Sequence, residues 1–283
     1  MRLFRFGPVG AERPGALDTD GVARDLSGAV ADWAEAVLSP SRLESIRKLD
    51  FSKFPRVPEG CRWGPAVVPP KNFVCIGLNY RDHAHEIGAQ LPTEPIVFLK
   101  SLSSVCGPYD DLIIPKGSAK TDWECELGVV VGSLARHIQE DRAFDYIAGY
   151  CVINDASERQ WQLERGGTWD KGKSFDTFGA IGPLLVTKDE ISDPQNLRLF
   201  TEVDGIRCQD GTTQTMVFTV VQLLSYVSRC ITLYPGDVIA TGTPPGVGLG
   251  MKPEPRYLRP GQRVRLGVEG LGEQMHNTVD AAA

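Results

Sequence analysis

Three carboxylates lie at positions where they could hold a metal ion. Glu124 and Glu126 are two residues apart at the start of an apolar run, and Asp155 ends a second apolar run over 149–155. Because side chains alternate along a strand, the two glutamates would share one face. Like charges on one face repel each other, and a bound divalent cation would make the arrangement favourable. The spacing of the glutamates alone favours an exposed polar strand face, because E-x-E is a weak pattern.

The types of ligand indicate which cation this site would take. Carboxylates without cysteine or clustered histidine suit a hard ion that prefers oxygen and keeps several waters. Mg²⁺ fits that description, Mn²⁺ is a close alternative and Ca²⁺ fits less well. Zn²⁺ would require nitrogen or sulfur ligands.

A histidine and a glutamate are spaced for acid–base chemistry. His83 and Glu86 are three residues apart in a helix predicted over Asp82–Ile87, so their side chains can hydrogen-bond. A carboxylate beside an imidazole orients it and raises its basicity, as a general base near neutral pH requires. His85 falls on a different face of the same turn. The alternative is a surface His–Glu pair on a short helix.

Lys173 follows a glycine-containing loop and is a candidate for binding charge in a substrate. A lysine on a loop can bind a substrate carboxylate or stabilise an enolate beside a metal. A solvated surface lysine is the alternative.

A glycine-rich stretch over Thr241–Gly250 follows a predicted strand. Its last three glycines are spaced G-x-G-x-G, and Pro253 and Pro255 preclude the helix that a nucleotide-binding loop must begin. The sequence also has no Walker lysine here and no G-x-S-x-G elbow of a serine hydrolase. We therefore expect a tight loop whose backbone groups approach a ligand closely.

Short strands separated by turn signals must position these residues. Two short strands are predicted within residues 1–20 and a helix over Ser27–Leu38, and a proline cluster over 55–70 marks a boundary. Further strands are predicted at Phe73–Gly77, Ile96–Lys100, Leu112–Ile114, Glu124–Val131, Ala148–Ile153, Leu199–Val203, Val238–Thr241 and Val264–Val268. Further helices are predicted at Glu140–Tyr146, Ser157–Arg165 and Val217–Ser228. The pattern predicts a mainly β fold with short helices (α+β), divided into domains at 1–68 and 69–283. It leaves a sandwich, a roll and a barrel open.

Composition limits the partners and the compartment. The 283 residues carry a net charge of −6, and basic runs do not exceed two residues, which argues against a nucleic-acid partner. Seven cysteines include no CxxC pair, and the first seven residues lack the long apolar stretch of a signal peptide. We expect reduced thiols, a cytoplasmic location and no membrane partner.

Six motifs in order over about residues 71–275 resemble the fumarylacetoacetate hydrolase family. They are GLNYRDHAHE, PIVFLK, DWECELGVVVG, AGYCVINDASERQWQ, KSFDTFGAIGP and DVIATGTPPGVG. The N-terminal pattern RFG…PG…LD…DLS is similar to a bacterial branch labelled variously as ureidoglycolate lyase, acylpyruvate hydrolase or diketo-deoxy-sugar-acid hydrolase.

This resemblance implies a catalytic domain of mixed β-sandwich or roll type after a small N-terminal α/β domain, usually in a homodimer with one Mg²⁺ or Mn²⁺ per site. It implies a His–Glu dyad on a mobile lid that activates water. By position it assigns the metal ligands to Glu124, Glu126 and Asp155, the dyad to His83 and Glu86, a substrate-side lysine to Lys173, and further pocket residues to Gln162, Arg159 and Thr243.

The implied reaction is hydrolysis of a C–C bond in a β-diketo acid, either an acylpyruvate or a diketo-deoxy-sugar acid. The cation would stabilise an enolate, and the His–Glu pair would activate water. A lyase or isomerase acting on an oxaloacetate-like, dienol or ureidoglycolate-type substrate would use the same metal site. A non-enzymatic, metal-stabilised binding protein is a third interpretation.

Overall fold

Residues 1–282, which the computed structural model describes, form 19 strands, five α-helices and six short 3-10 helices. The strands are β1 (Arg2–Phe6), β2 (Arg13–Leu17), β3 (Ala23–Asp25), β4 (Trp63–Gly64), β5 (Phe73–Gly77), β6 (Ile96–Leu99), β7 (Val105–Cys106), β8 (Leu112–Ile114), β9 (Thr121–Asp122), β10 (Cys125–Val131), β11 (Ile147–Asp155), β12 (Ser157–Glu158), β13 (Gly179–Ile181), β14 (Leu185–Thr187), β15 (Arg198–Val203), β16 (Ile206–Thr212), β17 (Val238–Ala240), β18 (Arg263–Val268) and β19 (Gly272–Asp280). The α-helices are α1 (Pro40–Arg47), α2 (Arg81–Glu86), α3 (Arg159–Leu163), α4 (Asp170–Lys173) and α5 (Val220–Cys230). The 3-10 helices are Phe51–Lys53, Leu102–Ser104, Glu140–Tyr146, Lys188–Glu190, Thr213–Thr215 and Gly248–Gly250.

The strands form one large sheet, one five-stranded sheet and a two-stranded pair. The main path of the 12-stranded sheet runs β3-β2-β1-β14-β11-β10-β17-β5-β6, and the five-stranded sheet runs β16-β15-β18-β19-β8. Strands β9 and β12 pair with each other beside the end of β11. The mainly β, α+β fold class predicted from the sequence is confirmed.

Apolar side chains cover both faces of the large sheet. Along β10, Leu127 and Val129 belong to a cluster shared with the five-stranded sheet and α5, whereas Val130 belongs to a second cluster on the opposite face. All seven residues of β10 are buried, as are the nine of β11. A strand covered on both faces reads as a continuous apolar run, which is why both strands were visible in the sequence. Each of these buried strands carries a carboxylate near one end.

The N-terminal residues contribute to the large sheet. Strand β1 pairs with β14, with Leu3 opposite Leu185, and also with β2 and β4. The second apolar cluster likewise combines residues from both sides of the boundary at 68/69. The division into domains at 1–68 and 69–283 stays a prediction.

The prediction of a helix over Ser27–Leu38 is wrong. Turns and bends occupy this range, and the helix α1 begins only at Pro40. Long-range contacts fix the segment: the indole of Trp33 donates to the carbonyl oxygen of Phe4 at 2.8 Å, and the carboxylate of Asp32 accepts from Arg5. Val30, Trp33, Val37 and Leu38 are buried, but these tertiary bonds hold the backbone in turns.

Two other helices differ from the expectation. Glu140–Tyr146 is a 3-10 helix. In the range predicted as one helix from Ser157 to Arg165, the first two residues form β12 and only Arg159–Leu163 is α-helical. These two residues are extended because their backbone pairs with β9. No helix within residues 1–282 combines the length and apolar character needed to cross a membrane.

Candidate metal and acid–base site

The pairing of β10 with β11 brings the three carboxylates together. Asp155 ends β11, and its N–H donates to the carbonyl oxygen of Glu124, just before β10, at 2.9 Å. One oxygen from each of Glu124, Glu126 and Asp155 lies within 4.8 Å of the others, and all three residues are buried. The structure thus brings together the three ligands proposed from the sequence, and they do not form an exposed polar face.

The electrostatics of the two glutamates differ. Burial would raise the pKa of Glu124, but the charges of Lys173 and Arg159 outweigh it and lower that pKa to about 2. For Glu126, burial and then the charges of Asp155 and Glu124 raise the pKa well above its ordinary value. The cluster therefore contains one carboxylate paired with cations and one that faces like charges.

Two buried lysines contact the carboxylates. Lys173 Nζ lies 2.5 Å from Glu124 Oε2 and 2.8 Å from Asp155 Oδ2. Burial would lower the pKa of Lys173, but Asp155 and Glu124 raise it above its ordinary value. Lys100 Nζ, at the end of β6, donates to Asp155 Oδ1 at 2.5 Å. The sequence analysis missed Lys100, although it follows an apolar strand in the same way as Asp155 does.

The chemistry of the cluster fits a hard divalent cation. Its donors are carboxylate oxygens only, which match the preference of Mg²⁺ or Mn²⁺. Burial and then like-charge repulsion raise the pKa of Glu126, and positive charge among the three carboxylates would relieve the repulsion. Glu124, Glu126 and Asp155 are the residues that would hold such an ion.

The predicted His–Glu pair is formed on α2. His83 Nδ1 lies 3.0 Å from Glu86 Oε2, and the other carboxylate oxygen of Glu86 accepts from the N–H of Gly246 at 2.9 Å. His83 is only 7% exposed and lines the same cavity as the three carboxylates, whereas His85 is exposed. The structure therefore places His83 toward the metal ligands and His85 away from them.

Arg159 is held by carboxylates. Its Nε donates to Asp122 Oδ2 at 2.8 Å, and its Nη2 lies 2.7 Å from Glu124 Oε1. Burial would lower the pKa of Arg159, but the charges of Asp122 and Glu124 raise it. A third contact runs from Nη1 to Gln162 Oε1 at 2.9 Å. The guanidinium thus connects Glu124 to a buried aspartate that the sequence analysis did not single out.

Gln162 and Thr243 line the cavity with different hydrogen-bonding capacity. Among the described residues, no acceptor bonds the amide nitrogen of Gln162, so this group is available to a substrate. The hydroxyl of Thr243 donates to the carbonyl oxygen of Cys125 and accepts from Gln209 Nε2, at 2.9 and 2.8 Å. The hydroxyl of Thr243 therefore already donates its proton to a group of the protein.

A cavity of about 110 Å³ joins the carboxylate cluster to His83. Apart from the residues already described, its wall is largely apolar. Its apolar side chains are Ile76, Leu78, Ile87, Phe98, Leu163, Trp169 and Leu249. One end of the cavity is thus highly charged, and the remainder would accept an apolar group.

The glycine-rich stretch forms a tight loop over 242–250, as expected, but its amides face carboxylates of the protein. Gly242 N–H donates to Glu126 Oε2 at 2.7 Å, and Gly246 N–H donates to Glu86. The N–H groups of Gly248 and Leu249 donate to Asp122, at 2.7 and 2.9 Å. These amides hold acidic side chains of the protein, and the close approach of the loop to a ligand stays a prediction.

Comparison with known proteins gives consistent similarities. The family model described as fumarylacetoacetate (FAA) hydrolase C-terminal matches residues 72–280. A Burkholderia lata protein that is provisionally named a hydrolase is 59% identical over 281 residues, covering 99% of this chain and 100% of that protein.

Two solved structures show the same fold over almost the whole chain. The fumarylacetoacetate hydrolase of Exiguobacterium antarcticum is 34% identical with a TM-score of 0.86, covering 99% of this chain and 100% of the other. The maleylpyruvate hydrolase of Sphingobium sp. SYK-6, solved with manganese(II) and pyruvate, is 26% identical with a TM-score of 0.82, and both chains are covered completely. The chain is a member of the fumarylacetoacetate hydrolase family of enzymes.

Proposed function

We propose that this enzyme is a Mg²⁺- or Mn²⁺-dependent hydrolase that cleaves a C–C bond in a β-diketo acid, either an acylpyruvate or a diketo-deoxy-sugar acid. The observation that carries the proposal is that three convergent carboxylates and a carboxylate-oriented histidine line one cavity. The manganese and pyruvate in the related maleylpyruvate hydrolase support both the cation and the keto-acid class.

Glu124, Glu126 and Asp155 would hold the cation. When bound, it supplies Lewis-acid stabilisation for negative charge that develops on the oxygens of the keto acid. Lys173 contacts two of these ligands and lines the cavity, so its ammonium can offset further charge on a substrate oxygen. The amide nitrogen of Gln162 is free to orient the substrate.

His83 is the proposed general base. Because Nδ1 is bonded to Glu86, Nε2 is the ring nitrogen that can take a proton from water. The water oxygen then forms a bond to the carbonyl carbon distal to the carboxylate. As the C–C bond breaks, its electron pair leaves with the pyruvate fragment, which becomes pyruvate after protonation. The other product is a carboxylic acid.

Labelled water tests the reaction class. With wild-type enzyme, Mn²⁺ and an acylpyruvate in H₂¹⁸O, hydrolysis places ¹⁸O in the newly formed carboxylate, which mass spectrometry detects. Turnover without the label would exclude hydrolysis and support a lyase or isomerase that uses the same cluster. Ligand retention without turnover, for acylpyruvates, oxaloacetate and sugar-derived diketo acids with Mg²⁺ or Mn²⁺, would instead support a binding protein.

We also propose that the enzyme acts in the cytoplasm as a homodimer. All seven cysteines are free thiols, which suits a reducing compartment. The family resemblance supports the dimer, and light scattering on the purified protein measures its mass directly. A monomeric mass at micromolar concentration would contradict this assembly.

A further inference from the structure

The glycine loop, defined as residues 242–250, is held by three carboxylates, two of which belong to the proposed site. Glu126 is a metal-ligand candidate, and Glu86 orients His83. The third, Asp122, touches neither the cavity nor the other two carboxylates, but it accepts more hydrogen bonds from the loop than either of them. Its role is not explained by the chemistry described above.

Asp122 has a separate set of partners for each carboxylate oxygen. Oδ1 accepts from the N–H groups of Trp123 and Gly248, at 2.8 and 2.7 Å. Oδ2 accepts from Leu249 N–H at 2.9 Å and from Arg159 Nε at 2.8 Å. The residue is fully buried in the strand pair β9–β12, so these bonds are shielded from water. Asp122 therefore joins the loop backbone to the guanidinium rigidly.

The connection continues from Arg159 to a metal-ligand candidate. Arg159 Nη2 contacts Glu124 Oε1 at 2.7 Å, while the other oxygen of Glu124 is bonded to Lys173. This contact is an ion pair without hydrogen-bond geometry, so a guanidinium held at Nε orients the carboxylate beside Nη2 through its fixed charge. Partners that orient a metal ligand commonly contribute 10–100-fold to metal affinity.

The close approach of the loop also depends on glycine. A Cβ atom added at Gly248 would lie 2.7 Å from Asp122 Oδ1 and 1.9 Å from the carbonyl oxygen of Arg256. Only a residue without a side chain lets the backbone reach the aspartate here. Gly248 therefore allows the loop backbone to approach both Asp122 and Arg256.

We propose that Asp122 is a positioning residue that couples the glycine loop, through Arg159, to the orientation of Glu124 and thereby sets the affinity of the site for its divalent cation. This inference rests on the proposed metal function of the carboxylate cluster. It assigns a function to the loop that requires no direct contact between its backbone and a substrate.

The test compares Asp122→Asn with a matched control, Asp237→Asn. Asp237 is also fully buried and also accepts from backbone N–H groups, those of Asn72 and Tyr234, but it does not contact the site. Mn²⁺ affinity is measured by calorimetry, thermal stability by calorimetric unfolding, and exchange of the loop amides by hydrogen–deuterium exchange in the metal-free protein. All three are applied to wild type and both variants.

We expect Asp122→Asn to weaken Mn²⁺ binding by roughly 10–100-fold and to accelerate exchange over 246–250. Asp237→Asn should lower the unfolding temperature without changing Mn²⁺ affinity. Equal Mn²⁺ affinity in wild type and Asp122→Asn would overturn the inference while leaving the proposed function intact. A wild-type protein that binds neither Mn²⁺ nor Mg²⁺ would overturn both.

If Asp122→Asn does not fold, a second variant tests the same coupling. Arg159→Lys keeps positive charge beside Glu124 but removes the planar contact, and among the described residues Arg159 has no hydrogen bond to the loop. Faster exchange over 246–250 in this variant would support the coupling, because Asp122 links Arg159 to the glycine loop. Unchanged exchange would contradict it.

Discussion

Lys100 and Asp155 form a buried ion pair in which Nζ of the lysine lies 2.5 Å from Oδ1 of the aspartate. The side chain of Lys100 is fully buried, and that of Asp155 is 1% exposed. With Lys173 on its other oxygen, Asp155 has a cation on each side. Its direction is therefore fixed by two cations of the protein itself.

Replacing Lys100 by methionine should destabilise the metal-free protein by about 3–5 kcal/mol, because a buried charge loses one of its partners. Urea unfolding in EDTA measures this free energy. The control is Lys71→Met: Lys71 pairs with Glu35 at 2.6 Å, but both side chains are more than half exposed, and such pairs contribute about 0–1 kcal/mol. Similar losses in the two variants would contradict a special role for the buried pair.

Replacing His83 by alanine should reduce kcat by roughly two to four orders of magnitude, the usual contribution of a general base. Steady-state assays with an acylpyruvate and saturating Mn²⁺ measure the change. His85→Ala is the control, since His85 is exposed on the same helix and should leave kcat unchanged. Wild-type turnover in the His83 variant would remove the dyad from the mechanism.

Replacing Glu126 by glutamine should have different effects on the stability of the metal-free protein and on its stabilisation by Mn²⁺. Burial and the charges of Asp155 and Glu124 raise the pKa of Glu126, so a neutral amide removes repulsion and the metal-free variant should be at least as stable as wild type. Wild type should gain about 2.7 kcal/mol at a Mn²⁺ concentration of 100 Kd, and the variant should lose most of this gain. Thermal unfolding with EDTA or Mn²⁺ measures both effects.

Glu12→Gln is the control for that measurement. Glu12 is also a poorly exposed carboxylate, but it pairs with Arg62 and Arg5 far from the cluster. This variant should be less stable without metal and should keep the full gain from Mn²⁺. A full gain in Glu126→Gln as well would show that Glu126 is not a ligand.

The apolar wall of the cavity predicts a preference between the two proposed substrate classes. An acylpyruvate with a butanoyl group would place its chain against side chains such as Phe98, Trp169 and Leu249. The hydroxyls of a sugar-derived diketo acid would lack partners there, at about 1–3 kcal/mol each. We expect kcat/KM for the acylpyruvate to be roughly 10–100-fold higher. An equal or higher value for the sugar acid would contradict this preference.

Much of the metal site could be predicted because buried strands appear in the sequence as continuous apolar runs. Strands β10 and β11 are apolar on both faces, so a charged residue at the end of either one stands out, and this signal identified Asp155. The same signal at the end of β6 would have identified Lys100. The carboxylates could therefore be placed on strands, and the structure added Lys100 and the direct contacts of Lys173 with two of them.

Other features depend on contacts between distant residues and left no local pattern. The turns around Trp33 follow from its bond to Phe4, and an apolar spacing of helical type gave the wrong element there. Asp122 accepts from amides about 126 residues later in the chain, at Gly248 and Leu249. Its sequence neighbourhood contains no sign of those partners. Long-range hydrogen bonds of this kind can be identified only after folding brings the segments together.

The pairing of β1 with β14 sets an order of events during synthesis. Strand β1 leaves the ribosome before β14, because Val186, the partner of Arg2, follows 184 residues later. At ordinary elongation rates this delay is on the order of 10–40 s. Until then the Arg2–Leu3 part of that edge of β1 has no neighbour, although β4 can already pair with Arg5 and Phe6, and the open part is exposed to pairing with other nascent chains. The newly made N-terminal region therefore needs protection by a chaperone or by its own transient structure until the β14 segment emerges.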